Sequence, residues 1–138
     1  MAINKTRQEV LTFMQQAEIY RQNNPKSTKF TYALGKLLKQ ANKINKETQE
    51  KLEDINYEYC KTDKNDVIME SDKGNLVYTK EGRISRDKAV RKLRDEEVEI
   101  EPYYATKVPD NLTHSERDAF TDFVLAPEEE PKEEEKND

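Results

Sequence analysis

The sequence predicts a mainly helical α+β domain. It would hold a helical hairpin with one long amphipathic helix, a β-hairpin or three-stranded sheet, a short C-terminal helix and a disordered acidic tail. Three observations predict it. Across residues 28–60, Phe30, Ala33, Leu34, Leu37, Leu38, Ala41, Ile44, Leu52, Ile55 and Tyr59 fall on one side of a helical wheel, with no proline to interrupt them. Hydrophobic residues make up 33% and charged residues 38% of the 138, with only three glycines and no tryptophan. Such a supply suits amphipathic helices around a narrow core, or a core completed by other subunits, and the orderly spacing of the apolar residues argues against full disorder. The third observation is a turn-rich stretch, Ser71-Asp72-Lys73-Gly74-Asn75, set between Val67-Ile68-Met69 and Leu76-Val77-Tyr78.

Taken in order, Thr6 with Glu9 forms a capping box, because the hydroxyl and a carboxylate three residues on satisfy two orphan amides. Val10, Phe13, Met14, Ala17 and Tyr20 then give one apolar stripe over four turns, ended by Asn23-Asn24-Pro25. Ser27 or Thr28 caps the long helix, and the short connection predicts an antiparallel hairpin in which the first helix covers about half of the second, leaving the half around Leu52, Ile55 and Tyr59 to the hairpin, the edge strand and the last helix. Gly35, inside that helix, is either a tolerated cost of ~1 kcal/mol or the mark of a close backbone approach. The Gly74 turn predicts the β-hairpin, which needs a third strand or a helix to pack on. Ser85 is the expected cap of a third helix over residues 86–96, with Ala89, Val90 and Leu93 inward. Val98, Ile100 and Tyr103 alternate with glutamates as a half-buried edge strand, bounded by Pro102 and suited to be the third strand. Thr113 with Glu116 repeats the capping box before a short helix carrying Phe120, Phe123 and Val124. The expected organisation is one domain over residues 1–126 and a disordered tail over 127–138.

Charge is unevenly placed. The tail holds seven acids and two lysines; taking these from the chain's 29 acids and 24 basic residues leaves 22 of each, so the net charge of −5 belongs to the tail. One cysteine precludes an internal disulfide. No apolar run approaches the ~18 residues of a membrane span, and MAINKTRQEV lacks the apolar core of a signal peptide. The expected location is therefore the cytosol where the chain is made, with no membrane association.

Catalytic chemistry has few residues to stand on. One histidine and one cysteine, far apart, do not make an ordinary metal site or a nucleophile–base pair. His114, opening a short polar helix, reads as a surface residue, and Cys60, beside Tyr59, as a packed one. A calcium loop starting at Asp63 would have Ile68 where glycine is required. Neither GxGxxG nor a Walker sequence is present, and nothing singles out two of the 29 acids as a glycosidase pair. No enzyme, cofactor or metal is predicted.

Two candidate surfaces remain. The apolar face at Leu34, Leu37, Ala41, Ile44, Leu52, Ile55 and Tyr59 is the candidate protein interface. Opposite it lies a lysine stripe, Lys29, Lys36, Lys39, Lys43 and Lys46, the candidate polyanion surface, set against the plainer alternative of a solvated face. No aromatic residue is expected to interleave the stripe. The glutamate tail is a candidate to lie across it.

The order of elements also resembles a known group. A proline break, then Phe30-Thr31-Tyr32-Ala33-Leu34-Gly35-Lys36-Leu37-Leu38, a long charged helix ending Tyr57-Glu58-Tyr59, the segment LRDEEVEI at 93–100, and Leu112-Thr113-His114-Ser115-Glu116 before Phe120 resemble small tailed-phage proteins of unassigned function over residues 25–125. The resemblance implies a gene of the structural or assembly region, and so a chain made in the host cytoplasm and a place in the virion. It implies no active site. The leading expectation is a non-enzymatic phage structural or assembly protein that contacts other phage structural proteins or itself through the long helix. The alternative is a small regulatory protein placing its lysine face on nucleic acid or an acidic host protein.

Overall fold

The computed structural model describes residues 1–127 of the chain; the expected disordered tail lies outside them, apart from its first residue, Pro127. The order is β1 (Ile3–Thr6), α1 (Arg7–Asn23), α2 (Lys29–Tyr59), α3 (Lys80–Arg94), β2 (Glu97–Ile100) and α4 (His114–Phe120). The mainly helical class with a small β element is what the residues produce.

Both predicted capping boxes close. Thr6 Oγ1 accepts from Glu9 N at 3.1 Å while Glu9 Oε1 accepts from Thr6 N at 2.9 Å. Thr113 and Glu116 do the same at 3.0 and 2.9 Å. Thr28, with Thr31 as its reciprocal partner, caps the 31-residue α2. At 1.5 Å per residue that helix is roughly 46 Å long.

The core sits at one end of it. Phe30, Ala33, Leu34, Leu37, Leu38 and Ala41 meet Val10, Phe13, Ala17 and Tyr20 of α1, and Phe120, Phe123, Val124 and Leu125 join the same core. Phe13 stacks on Phe123 with centroids 4.5 Å apart, and Phe120 meets Phe13, Tyr20 and Phe30 at 5.7, 6.2 and 5.9 Å. We call this the proximal half, and the stretch of α2 after Lys46, with α3 and the 61–78 loop, the distal half.

Four expectations are corrected. The strand at 98–100 does pair, but with β1, antiparallel and in the register Ile3↔Ile100 to Thr6↔Glu97. INKT carries one apolar residue, too few to alternate, so its pairing is invisible without its partner. The 67–78 hairpin turns as predicted, with Gly74 at φ +81°, its N–H donating to Ser71 O at 2.9 Å, but it carries only isolated bridges. Its third ply is 61–63, where Met69 N donates to Lys61 O at 3.0 Å. That ply is folded back by Asp63, whose Oδ1 accepts from Asn65 and Val67 amides at 2.7 and 3.0 Å, giving an Asx turn instead of an ion loop. The third helix starts at Lys80, capped by Thr79 in place of Ser85. Gly82 conceals that start: it lies in the first turn, where a Cβ would stand 2.7 Å from Tyr59 O, so close approach to the end of α2 explains a residue that reads as a breaker. Finally, α3 covers the distal part of α2, the role assigned to the hairpin, edge strand or last helix; α4 packs on α1 instead.

Candidate functional site

The long helix was expected to offer its apolar face to a partner. The fold consumes much of that face. Leu34, Leu37 and Ala41 are wholly buried against α1, so a partner reaches them only by opening the domain. Ile44, Leu52, Ile55 and Tyr59 are half-buried. The reason is geometric: α1, the sheet and the 120–125 hook all converge on the proximal half, while α3 alone lies along the remainder. In the distal half only Val90 and Leu93 are fully buried, and apolar side chains reach solvent, with Tyr57 at 51%, Val67 at 57% and Ile84 at 60% exposure.

Between the halves sits a buried cation that the sequence does not announce. Arg7 Nε and one terminal nitrogen donate to Glu96 Oε1 at 3.1 and 2.8 Å, the other terminal nitrogen donates to Thr48 Oγ1 at 2.9 Å, and Glu47 completes the set. Arg7 N also donates to Glu96 O at 2.9 Å. One side chain therefore ties the start of α1 to mid-α2 and to the α3–β2 turn. Burial by itself lowers the Arg7 pKa, but the bonds and charges of Glu47 and Glu96 outweigh it and the value rises. The Arg7 hydrogen bond holds both carboxyls below their ordinary range. Arginine at a helix start reads as surface, and only the fold brings its acids from 40 and 89 positions away.

A cleft of about 750 Å³ opens between the α1–α2 turn and residues 107–110, lined by Phe30, Pro25, Val108 and Pro109 with Lys26, Lys29, Lys107 and Asp110 around them. A hydrogen-bond circuit joins two of its lining residues, Tyr20 and Asn24, to Asn111. Tyr20 Oη donates to Asn111 Oδ1 at 3.3 Å, Asn111 Nδ2 to Asn24 Oδ1 at 2.9 Å, and Asn24 Nδ2 to Tyr20 O at 2.9 Å. Burial, and then the charge of Glu116, push the Tyr20 phenol up against the opposing pull of its Asn111 bond.

The lysine stripe is fully placed. Lys29, Lys36, Lys39, Lys43 and Lys46 are all exposed. With Arg21 and Lys26 they are the seven charged residues of the stretch 19–46, which contains no acid at all. None of the seven joins an ion pair among the described residues. Further along α2, Glu47, Glu50, Glu53, Asp54 and Glu58 outnumber Lys51, so the rod is basic at its N-terminal half and acidic at its C-terminal half. That polarity opposes the helix macrodipole, with Lys29 in the first turn and Glu58 in the last, and costs α2 a few tenths of a kcal/mol at each end. The basic half is thus no device for stabilising the helix.

An aromatic residue does interleave the stripe. Tyr32 stands three residues after Lys29 and four before Lys36, and the Lys36 ammonium lies 5.5 Å from its ring centroid. Tyr103 arrives from the chain after β2 and meets Tyr32 edge to face at 6.0 Å. Two clamps deliver it: Gln40 Nε2 donates to Glu101 O at 2.9 Å while its Oε1 accepts from Glu101 N at 2.8 Å, and Tyr103 N donates to Phe123 O at 2.9 Å. Spacing along the chain shows the Tyr32 position, but Tyr103 and the Gln40 clamp need the fold.

His114 is exposed and lies 3.3 Å from Asp118. Cys60 is half-buried, its thiol donating to Tyr57 O at 3.4 Å. Among the described residues no three metal-ligating side chains come together, and no helix is long and apolar enough to cross a membrane. No family model, curated protein or solved structure matches this chain.

Proposed function

We propose that this chain is a non-enzymatic structural or assembly component of a tailed-phage particle, acting through protein–protein contacts of the distal half of its long helix. The observation that carries the proposal is the unequal cover of α2. Its last turns have one neighbouring helix, Leu52, Ile55 and Tyr59 stay half-buried there, and Tyr57, Val67 and Ile84 of the same half are exposed. Apolar side chains left at a surface are a common mark of a protein contact. Leu34, Leu37 and Ala41 drop out of the interface, because they belong to the core. The partner is another structural protein of the same particle, and the chain meets it in the host cytoplasm during assembly.

Mass spectrometry of purified particles and assembly intermediates tests this directly. The chain is expected in one or both, and its absence from both overturns the proposal. In the same preparation the double variant Tyr57→Ser/Ile84→Ser, which replaces two exposed side chains, should keep the wild-type melting temperature and lose incorporation. Light scattering of the purified chain reports the rival outcome, in which a second copy of this chain occupies the same face.

A further inference from the structure

We propose that the proximal end of the molecule binds single-stranded nucleic acid, with the backbone along the cationic stripe of α2 and bases on the Tyr32–Tyr103 pair. The inference goes beyond the assembly role and uses the opposite half of the rod, so either can fail without the other.

The charge comes first. A run of 28 residues with seven cations and no acid is a local excess in a body whose charges cancel only as a whole. The comparison with α3 is instructive. That helix also carries seven basic residues, yet it holds Glu81 and Asp87 and lies on the acidic half of α2, where Arg86 is bound by Asn56 and Asp87. The 19–46 cations are not held in this way among the described residues: Glu18 and Asp110 stand near Arg21, Lys26 and Lys29, but no ion pair forms. Glu101, next in sequence to the segment that delivers Tyr103, is engaged by the N-terminal ammonium at 3.3 Å. At 100° per residue the five α2 lysines and Tyr32 share an arc of roughly 100°, with Tyr32 near its middle. From Lys29 to Lys46 that arc runs about 25 Å, enough to follow several phosphates of a strand.

The aromatic pair decides the kind of polyanion. An acidic peptide or a glycosaminoglycan needs only the cations. Exposed rings beside them add surfaces on which unpaired bases stack, and a duplex keeps its bases out of reach. Tyr32 is 57% and Tyr103 43% exposed, large values for rings held in place by backbone clamps. A shallow groove beside them, lined by Arg21, Tyr32, Lys36 and Lys39 with Glu18 its one acid, continues the path between α1 and α2. Lys36 now rests on the Tyr32 ring. A base arriving there displaces a flexible side chain whose ammonium then serves the adjacent phosphate.

Fluorescence anisotropy with a labelled 20-residue oligothymidylate and the full chain, at 50 and 200 mM salt, tests the proposal. The expected result is saturable binding at low salt that weakens roughly ten-fold or more at the higher salt. Tyr32→Ala and Tyr103→Ala should each weaken it about five-fold or more while the melting temperature holds, since both rings are exposed. Lys36→Gln/Lys39→Gln/Lys43→Gln should reduce the salt slope by roughly two. No binding at 50 mM salt overturns the proposal. So does equal affinity for a 20-base-pair duplex or for polyglutamate with both tyrosine variants unaffected, which would make the stripe a general polyanion or acidic-protein surface.

Discussion

The two halves of α2 are one helix with one apolar stripe, yet they live in different environments. Around Leu34 and Leu37 the stripe is sealed by α1, with Phe120 and Phe123 packed on Phe13 in the same core. Around Leu52 and Ile55 it meets only α3, and the side chains are half-buried. Periodicity reports which side of a helix is apolar; how deeply that side is covered depends on how many elements arrive there. The difference is also one of charge, since the sealed half carries the cations and the thinly covered half the acids. Buried core and exposed apolar surface are therefore distributed along the same rod, the first to one end and the second to the other.

The comparison is broken most severely from the sealed end. Phe13→Ala empties a position in contact with two other rings and should cost about 3–5 kcal/mol, a large part of a small domain's stability, read as a fall in the denaturant midpoint. A loss below about 1 kcal/mol would mean that the proximal core is not the dominant one. Next comes the junction. Arg7→Met keeps much of the buried stem and removes the bonds to Glu96, Thr48 and Glu47, for an expected loss of about 2 kcal/mol, because the carboxylates that remain are largely solvated. Since Glu47 and Glu96 are held below their ordinary pKa, their contribution is present above the unfolded value of about 4.3 and is lost as the pH falls through the lower folded values. Melting temperatures between pH 7 and pH 3 should thus drop less steeply in Arg7→Met than in the parent; parallel curves would refute this account of the junction.

Smaller effects sharpen the contrast. Gly82→Ala should destabilise by about 1–3 kcal/mol, because its Cβ meets the Tyr59 carbonyl at 2.7 Å and must push α3 away from α2. Leu52→Ala, on the thin side, should cost about 1–2 kcal/mol, well under the range for sealed leucines. Gly35→Ala should stabilise by up to ~1 kcal/mol: a Cβ there meets only the flexible Arg21 guanidinium at 3.9 Å, so no backbone approach requires the glycine. Thermal melts of the three variants order them, and a destabilised Gly35→Ala would show a hidden constraint in the proximal half.

What could be read from the sequence were the local devices. Thr6 with Glu9 and Thr113 with Glu116 announce helix starts because both partners lie three residues apart, and the α2 span follows from an uninterrupted stripe. Thr79 was obscured by Gly82, whose reason for being there is a carbonyl 23 residues earlier in the chain. β1 escaped notice because its identity as a strand is supplied by Glu97–Ile100. Of the candidate surfaces, the lysine stripe needs only helical geometry, whereas Tyr103, Gln40 and the Arg7 network depend on residues tens of positions apart. Local signals reach as far as a few turns, and distant pairings leave no periodic trace.

The pairing of Ile3 with Ile100 has a consequence for the order of events as the chain is made. The α1–α2 hairpin is built from neighbours and can form early, while β1 must wait, solvated, until nearly a hundred further residues have followed it. Closing so long a loop costs little more than closing one half its size, about 0.6 kcal/mol per doubling, so the delay is one of time more than of free energy. The first strand is fastened long after the helix that follows it. During that interval the aromatic face of α1 lacks its α4 cover, which makes the emerging chain most vulnerable just before its own C-terminal segment arrives.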